Sequence, residues 1–279
     1  MLQRQTGEVP SDAAVARLRQ QMRLDDPLPQ RYGRWLASAA QGDLGRSYRS
    51  GESVAASFVS RLPATLQLAV LAIAGALLLS VPLGVLAAHR HGSLTDHGVR
   101  LAAVVGASLP SFWVGYLLIW LVGVQWQWLP IAGRGGVQHA ILPAATLALG
   151  AASLLTRLAR SSVLTALAQP SVQQARALGL PEWQILWSRA LRGALVPIVT
   201  ITGVRFGQLV GGAAIVETVF AWPGIGRLLV EAVFDRDHPV IQGYVLLSGT
   251  AFVLLHLAVD VVCAAIDPRL RNEDRDAPS

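Results

Sequence analysis

The residues with the chemistry to act on a partner or a solute cluster in two places. Arg176, Glu182, Arg189 and Arg192 lie in one polar interruption between apolar runs, Ser171 to Pro197, which reads SVQQARALGLPEWQILWSRALRGALVP. Three arginines against one acid suit a docking surface, although basic residues on a cytoplasmic loop also obey the positive-inside rule. Arg205 interrupts an apolar run near its middle, with Gln208 almost one turn on. A cation there costs about 2.5 to 3.5 kcal/mol even on the lenient insertion scale, so it must face a cavity or a partner. Two roles fit: lining a translocation path that favours carboxylate-bearing cargo, or pairing with an acid on another span or subunit.

Other constellations lead nowhere. His256 and Asp260 are one turn apart, but two residues do not make a metal site. Asp260 at the end of a span suits snorkelling or a local salt bridge. Gly106-Ala107-Ser108 with His256 has the outward form of an intramembrane serine protease, and no third group supports it. The one cysteine, Cys263, excludes an internal disulfide and a multi-thiolate metal site. All 23 basic residues are arginine. Without lysine the chain cannot form a Walker-A phosphate loop or a Schiff base. If ATP drives it, ATP and Mg are bound by a partner, and the chain itself binds no cofactor.

Composition places these residues in a membrane. The chain is 53% hydrophobic and 14% charged, with mean hydropathy +0.46, whereas a soluble domain carries about 25% charged residues. The formal charge of +6 is dispersed among apolar runs, so topology accounts for it and nucleic acid does not. Residues 1–61 carry nine arginines and six acids. They hold no apolar run of signal-peptide length, and short helices are expected at Ser11 to Arg23 and Leu28 to Ala40. Beyond them the hydropathy predicts five helical spans, at about 66–88, 101–124, 139–158, 194–216 and 240–265, each long enough for a bilayer. Pro110 should kink the second. Trp120, Trp126 and Trp128 fit an interfacial belt. Gly203, Gly207, Gly211 and Gly212 form a small-residue stripe that permits close helix packing, against a neighbouring helix or a second subunit.

The polar interruption reads as an elbow of two short helices. The first, Val172 to Leu178, stops at Gly179, the residue type suited to a left-handed C-terminal position. Pro181 fits the first turn of the second, with Glu182 at the positive end of its dipole, and that helix runs to about Arg192. Arginine density puts the first connection and the elbow, 159–193, in the cytoplasm with the tail, 269–279. Residues 1–61 and the acidic connection from Glu217 to Asp237 then lie outside. Nine arginines outside with no helix to carry them across imply a transmembrane helix upstream, hence a truncated gene model or a misplaced start.

Gln173 to Gly179 and the helix after it resemble the cytoplasmic loop of ABC-importer permeases, whose pattern is Glu-Ala-Ala, three residues, then Gly. Ala175 and Gly179 match. Gln173 and Gln174 replace the Glu and first Ala, and Leu191 and Arg192 stand where the pattern closes with Leu-Pro. The run ARALGLPEWQILWSRALRGALVP is closer to the peptide/nickel branch, where such departures are usual. ETVFAWPGIGRLLVEAVFDRDHPVIQG, LDDPLPQRYGRWL and GDLGRSYRSG are similar to other segments of that branch, so the likeness runs from Leu24 to Arg271.

This resemblance implies an all-α, polytopic fold, the type I ABC-importer transmembrane domain over 62–268, with five of the family's six spans visible. It implies a coupling helix at roughly Leu180 to Trp187, with Ala175, Arg176, Gly179, Leu180, Pro181, Glu182 and Trp183 transmitting to the ATPase. Glu217, Pro223, Gly224 and Gly226 would form an extracytoplasmic gate region, with Arg227 to Phe234 a short helix at the outer surface where a substrate-binding protein docks. No translocation-path residue carries over. The implied protein is a non-enzymatic inner-membrane permease subunit for peptides or related solutes such as nickel chelates. Its partners would be ATPase subunits, a homologous second permease, a binding protein and lipid. An ion-gradient-driven carrier or a channel is the alternative, and neither explains a folded elbow.

Overall fold

Each charge-free run folds as a helix because a bilayer leaves backbone polar groups no other partner. The computed structural model describes residues 25–266, together with residues 13 and 16. The helix expected at Ser11 to Arg23 and the tail 269–279 lie outside the described residues. In chain order the helices are α1 Leu28–Ala40, α2 Val54–His89, α3 Leu94–Ser108 and α4 Ser111–Leu118, the last extended by a π-helical stretch Ile119–Gln125. Then come α5 Val137–Leu167, α6 Pro170–Ala177 and α7 Glu182–Ile185, which continues through a π turn Leu186–Ala190 into α8 Leu191–Gly212. The last described helices are α9 Ala214–Val219, α10 Ile225–Asp235 and α11 His238–Ile266.

The core is the contact of α2 with α5. On α2 a stripe at every fourth residue, Ala64, Leu68, Ala72, Ala76 and Ser80, is fully buried. It faces Ala140, Ala144, Ala148, Ala152 and Leu155 of α5. Small side chains let the two backbones approach. At Gly84 an added Cβ would stand 2.6 Å from the Cβ of Ala159, while at Gly75 it would meet Ala148 at 3.3 Å. Residue numbers rise together along both helices, so α2 and α5 are parallel.

Parallel neighbours require the chain between them to return across the bilayer. The segment that does so is bent by 101° between α3 and α4. Asp96 at its start meets Arg160 of α5, Gly106 lies against Ser153, and Gly115 of α4 reaches Phe220. It therefore runs antiparallel to α5 and counts as one crossing. The span expected at 101–124 with a kink at Pro110 starts earlier, at Leu94, and the kink is a full break: Pro110 ends one helix and caps the next, because it offers no N–H and its ring excludes the preceding turn. Gly203 against Val259, Gly207 against Phe252 and His256, and the Tyr244 hydroxyl on the Gly211 carbonyl at 2.6 Å set α8 antiparallel to α11. Gly203 and Gly207 of the small-residue stripe thus serve a neighbouring helix of the same chain.

The other spans exceed the hydropathy windows because helices continue into water. α2 begins at Val54 rather than near 66, and α5 runs nine residues past 158, to Leu167. The span expected to reach Val216 stops at Gly212, and α9 begins two residues on. The expected helix at Leu28 to Ala40 is present with those bounds.

Candidate functional site

The elbow is a folded unit. α6 ends in a double hydrogen bond, Leu180 N–H to the Ala175 carbonyl at 3.2 Å and Gly179 N–H to the Arg176 carbonyl at 2.9 Å, with Gly179 at φ +75°. This is a Schellman closure, which a glycine adopts without steric cost. Val172, Ala175 and Ile185 are fully buried against one another with Leu167 and Leu180, and Leu186 and Ala190 join the cluster of Ala159 and Val163 on α5. The unit is thus fixed to the adjoining ends of α5 and α8 by packing.

The site residues read from the sequence divide accordingly. Ala175 is buried and Leu180 half-buried, so both hold the elbow's shape. Arg176, Gly179, Pro181, Glu182 and Trp183 are exposed. Arg176 and Glu182 form a two-pronged ion pair at 2.8 and 3.2 Å across the joint. Both are nearly half exposed, so the pair is worth about 0 to 1 kcal/mol and acts as a brace. Two boundaries differ from expectation. The first helix is Pro170–Ala177, and the second does not end at Arg192 but passes unbroken into α8. Exposed apolar residues at the elbow are Leu178 at 80%, Trp183 at 67% and Trp187 at 55%. Leu178 was missed by motif reasoning, since a lone leucine in an arginine-rich loop gives no signal of exposure.

At the opposite end, Glu217, expected in the extracytoplasmic gate region, is buried. Its Oε1 accepts from the Thr65 hydroxyl at 2.6 Å and its Oε2 from the Arg227 N–H at 2.9 Å, while Thr65 accepts from the Ile225 N–H at 2.9 Å. The carboxylate therefore caps the first turn of α10 from a distance and ties it to α2. Burial pushes its pKa up, and the Thr65 and Arg227 donors pull it back. Gly224 is required beside it: an added Cβ would lie 2.2 Å from the Glu217 carboxyl carbon. Gly226 has the same constraint, 2.6 Å from the Ala214 Cα. Trp222, immediately before Pro223, is buried and donates to the Ala64 carbonyl at 3.0 Å. The loop that follows α1 is tied to the same end, with Asp237 accepting from the Ser47 hydroxyl at 2.5 Å and the Tyr48 N–H at 3.1 Å. The outer-surface helix expected at Arg227 to Phe234 is α10.

Mid-bundle, Arg205 is half-buried and donates to Gln208 Oε1 at 2.9 Å. It makes no ion pair with a carboxylate among the described residues. The sequence missed Asp96, whose buried carboxylate binds Arg160 at 2.6 and 2.8 Å and fixes α3 on α5. The partners stand 64 residues apart, and no local pattern links them.

Comparison with known proteins gives this geometry its family. Over 262 residues the chain is 41% identical to the glutathione transport system permease protein GsiC of Escherichia coli O6:H1, covering 94% of this chain and 86% of that protein. It is 38% identical over 275 residues to a putative peptide transport system permease protein of Brucella abortus, covering 96% and 88%. Among solved structures it resembles an inward-facing MetNI methionine ABC transporter chain, with TM-score 0.66 and 20% identity over 76% of this chain and 96% of that one. A chain of an amino acid ABC transporter gives TM-score 0.55 at 18% identity, over 76% and 94%. These last two speak for the fold alone. Residues 80–272 match the binding-protein-dependent transport system inner membrane component family. The chain belongs to that family, and is a multi-pass inner-membrane permease subunit of a peptide-type ABC importer.

Proposed function

We propose that this permease carries peptides or glutathione-like solutes bearing a free carboxylate, along a path to which Arg205 and Gln208 contribute. The observation that carries this reading is a guanidinium in the middle of α8 with an amide as partner and no carboxylate on it among the described residues. Such a cation is stabilised by an anionic solute or by an acid across an interface. Only 22% of the apolar window of the span containing α8, and 17% of that of α11, is buried within the chain. In this reading both face a second permease and the space between the two, where an anionic solute passes. Relatives named for glutathione and peptide transport have cargo of that chemistry, whereas nickel chelates find no support among them.

In this reading ATPase subunits, which hold ATP and Mg, bind the exposed elbow at Arg176, Pro181, Glu182 and Trp183. A binding protein delivers cargo to the end that holds α10. Closure of the ATPases moves α6 and α7 as a body. Because α7 is continuous with α8, the displacement reaches Arg205 along a helix and does not cross a flexible joint.

The test is ATP-dependent uptake into membrane vesicles holding the assembled transporter, with Arg205→Gln against wild type. Losing a charge-assisted hydrogen bond worth about 1.5 to 3 kcal/mol lowers uptake of a free-carboxylate peptide by roughly tenfold or more. Uptake of the same peptide as its C-terminal amide stays unchanged. Equal rates for both peptides in both proteins would remove Arg205 from the path.

A further inference from the structure

We propose that a cleft on the elbow side of the bundle, between α3 and α5, binds the phosphate headgroup of an anionic phospholipid. Its volume is about 480 Å³, and His91, Arg100, Val104, Arg157 and Arg160 line it. Arg160 is held by Asp96. Arg100 and Arg157, from different helices, open onto the same space with no carboxylate partner among the described residues. Three guanidiniums against the one carboxylate of Asp96 leave a formal surplus of two positive charges. Like charges brought together at a span end repel unless an anion lies between them. A guanidinium fork matches phosphate oxygens in a two-pronged geometry.

Position decides which phosphate. Arg100 is six residues into α3, about 9 Å along a helix rising about 1.5 Å per residue, and level with Arg157. The charge-free run begins at Leu101, one residue on from Arg100, so this depth corresponds to the layer of headgroups at the edge of the hydrocarbon. Beside the cleft α3 presents apolar side chains to the exterior, Leu101 at 65% exposed, with Val104 and Val105 at 50% each. A soluble anion has no use for that wall, whereas acyl chains descending from a bound headgroup lie along it. Basic clefts between spans on the cytoplasmic side are a recurrent way to hold acidic headgroups.

The experiment is native mass spectrometry on the purified transporter complex, after exchange into phosphatidylcholine and titration with phosphatidylglycerol, cardiolipin or inorganic phosphate. The wild type retains the anionic lipids against washing. Arg100→Gln with Arg157→Gln weakens that retention by about thirtyfold, and the Lys pair at the same positions restores most of it. Should the Gln pair fail to assemble, competition on the wild type decides: phosphatidylglycerol retained in the presence of excess inorganic phosphate supports the proposal. Displacement by inorganic phosphate alone would overturn it in favour of a soluble anion. Unchanged lipid retention in the Gln pair, with or without loss of subunit assembly, would also overturn it and leave the arginines to an acidic partner surface.

Discussion

Glu217 shows how a side chain in a motif can serve the fold before it serves transport. Its two oxygens occupy donors from α2 and α10, and the glycine opposite exists to leave room for it. Glu217→Ala leaves the Thr65 hydroxyl and the Arg227 N–H without their acceptor, at about 1 to 3 kcal/mol. Gly224→Ala drives a methyl into the carboxylate, with a similar loss. The two should not add. In a thermal-melt cycle on the purified complex, the double variant is more stable than the sum of the singles requires, because removing the carboxylate makes room for the methyl. Strict additivity would refute the contact. The sequence showed that Glu217 and Gly224 belong together in a motif but not that the acid is buried. Burial depends on Thr65, 152 residues away.

At the scale of elements, the helices were legible and their mutual geometry less so. Charge-free runs announce spans, and Gly179 announces the elbow, since φ +75° is a conformation other residues avoid. Gly179→Ala meets open space, so its effect is backbone strain alone, about 1 kcal/mol. It should loosen the elbow and raise amide exchange at Leu180, with no change at α2. Exchange unaltered at the joint would deny the closure its role. The 101° bend was not legible: proline marks where a helix breaks, while the angle is set by what α3 and α4 pack against on α5. The four-residue stripe from Ala64 to Gly84 on α2 was not read in the sequence, and such a stripe by itself names no partner. Gly84→Ala overpacks the contact with Ala159 and costs about 1 to 3 kcal/mol, read as a lower melting temperature.

At the scale of the whole molecule, the described residues form two packed ends joined by five crossings. One end is clamped by Glu217, Trp222 and Asp237, while the other is an elbow whose buried face is packed and whose outer face is apolar and exposed. An exposed pair of tryptophans with a leucine is costly in water and suits a surface that a partner covers. The proposed partner is the ATPase, and in the proposed cycle the force passes along α7, which runs unbroken into α8. Cross-linking tests this most directly. With Cys263→Ser as background, single cysteines replace Leu178 or Trp183 at the elbow, or Phe234 on α10, in membranes containing the whole transporter. The elbow cysteines are expected to cross-link to the ATPase subunit, with a yield that changes when ATP hydrolysis is blocked, and the one at 234 to the binding protein. An ATPase cross-link at 234, or none at 178 and 183, would contradict the account.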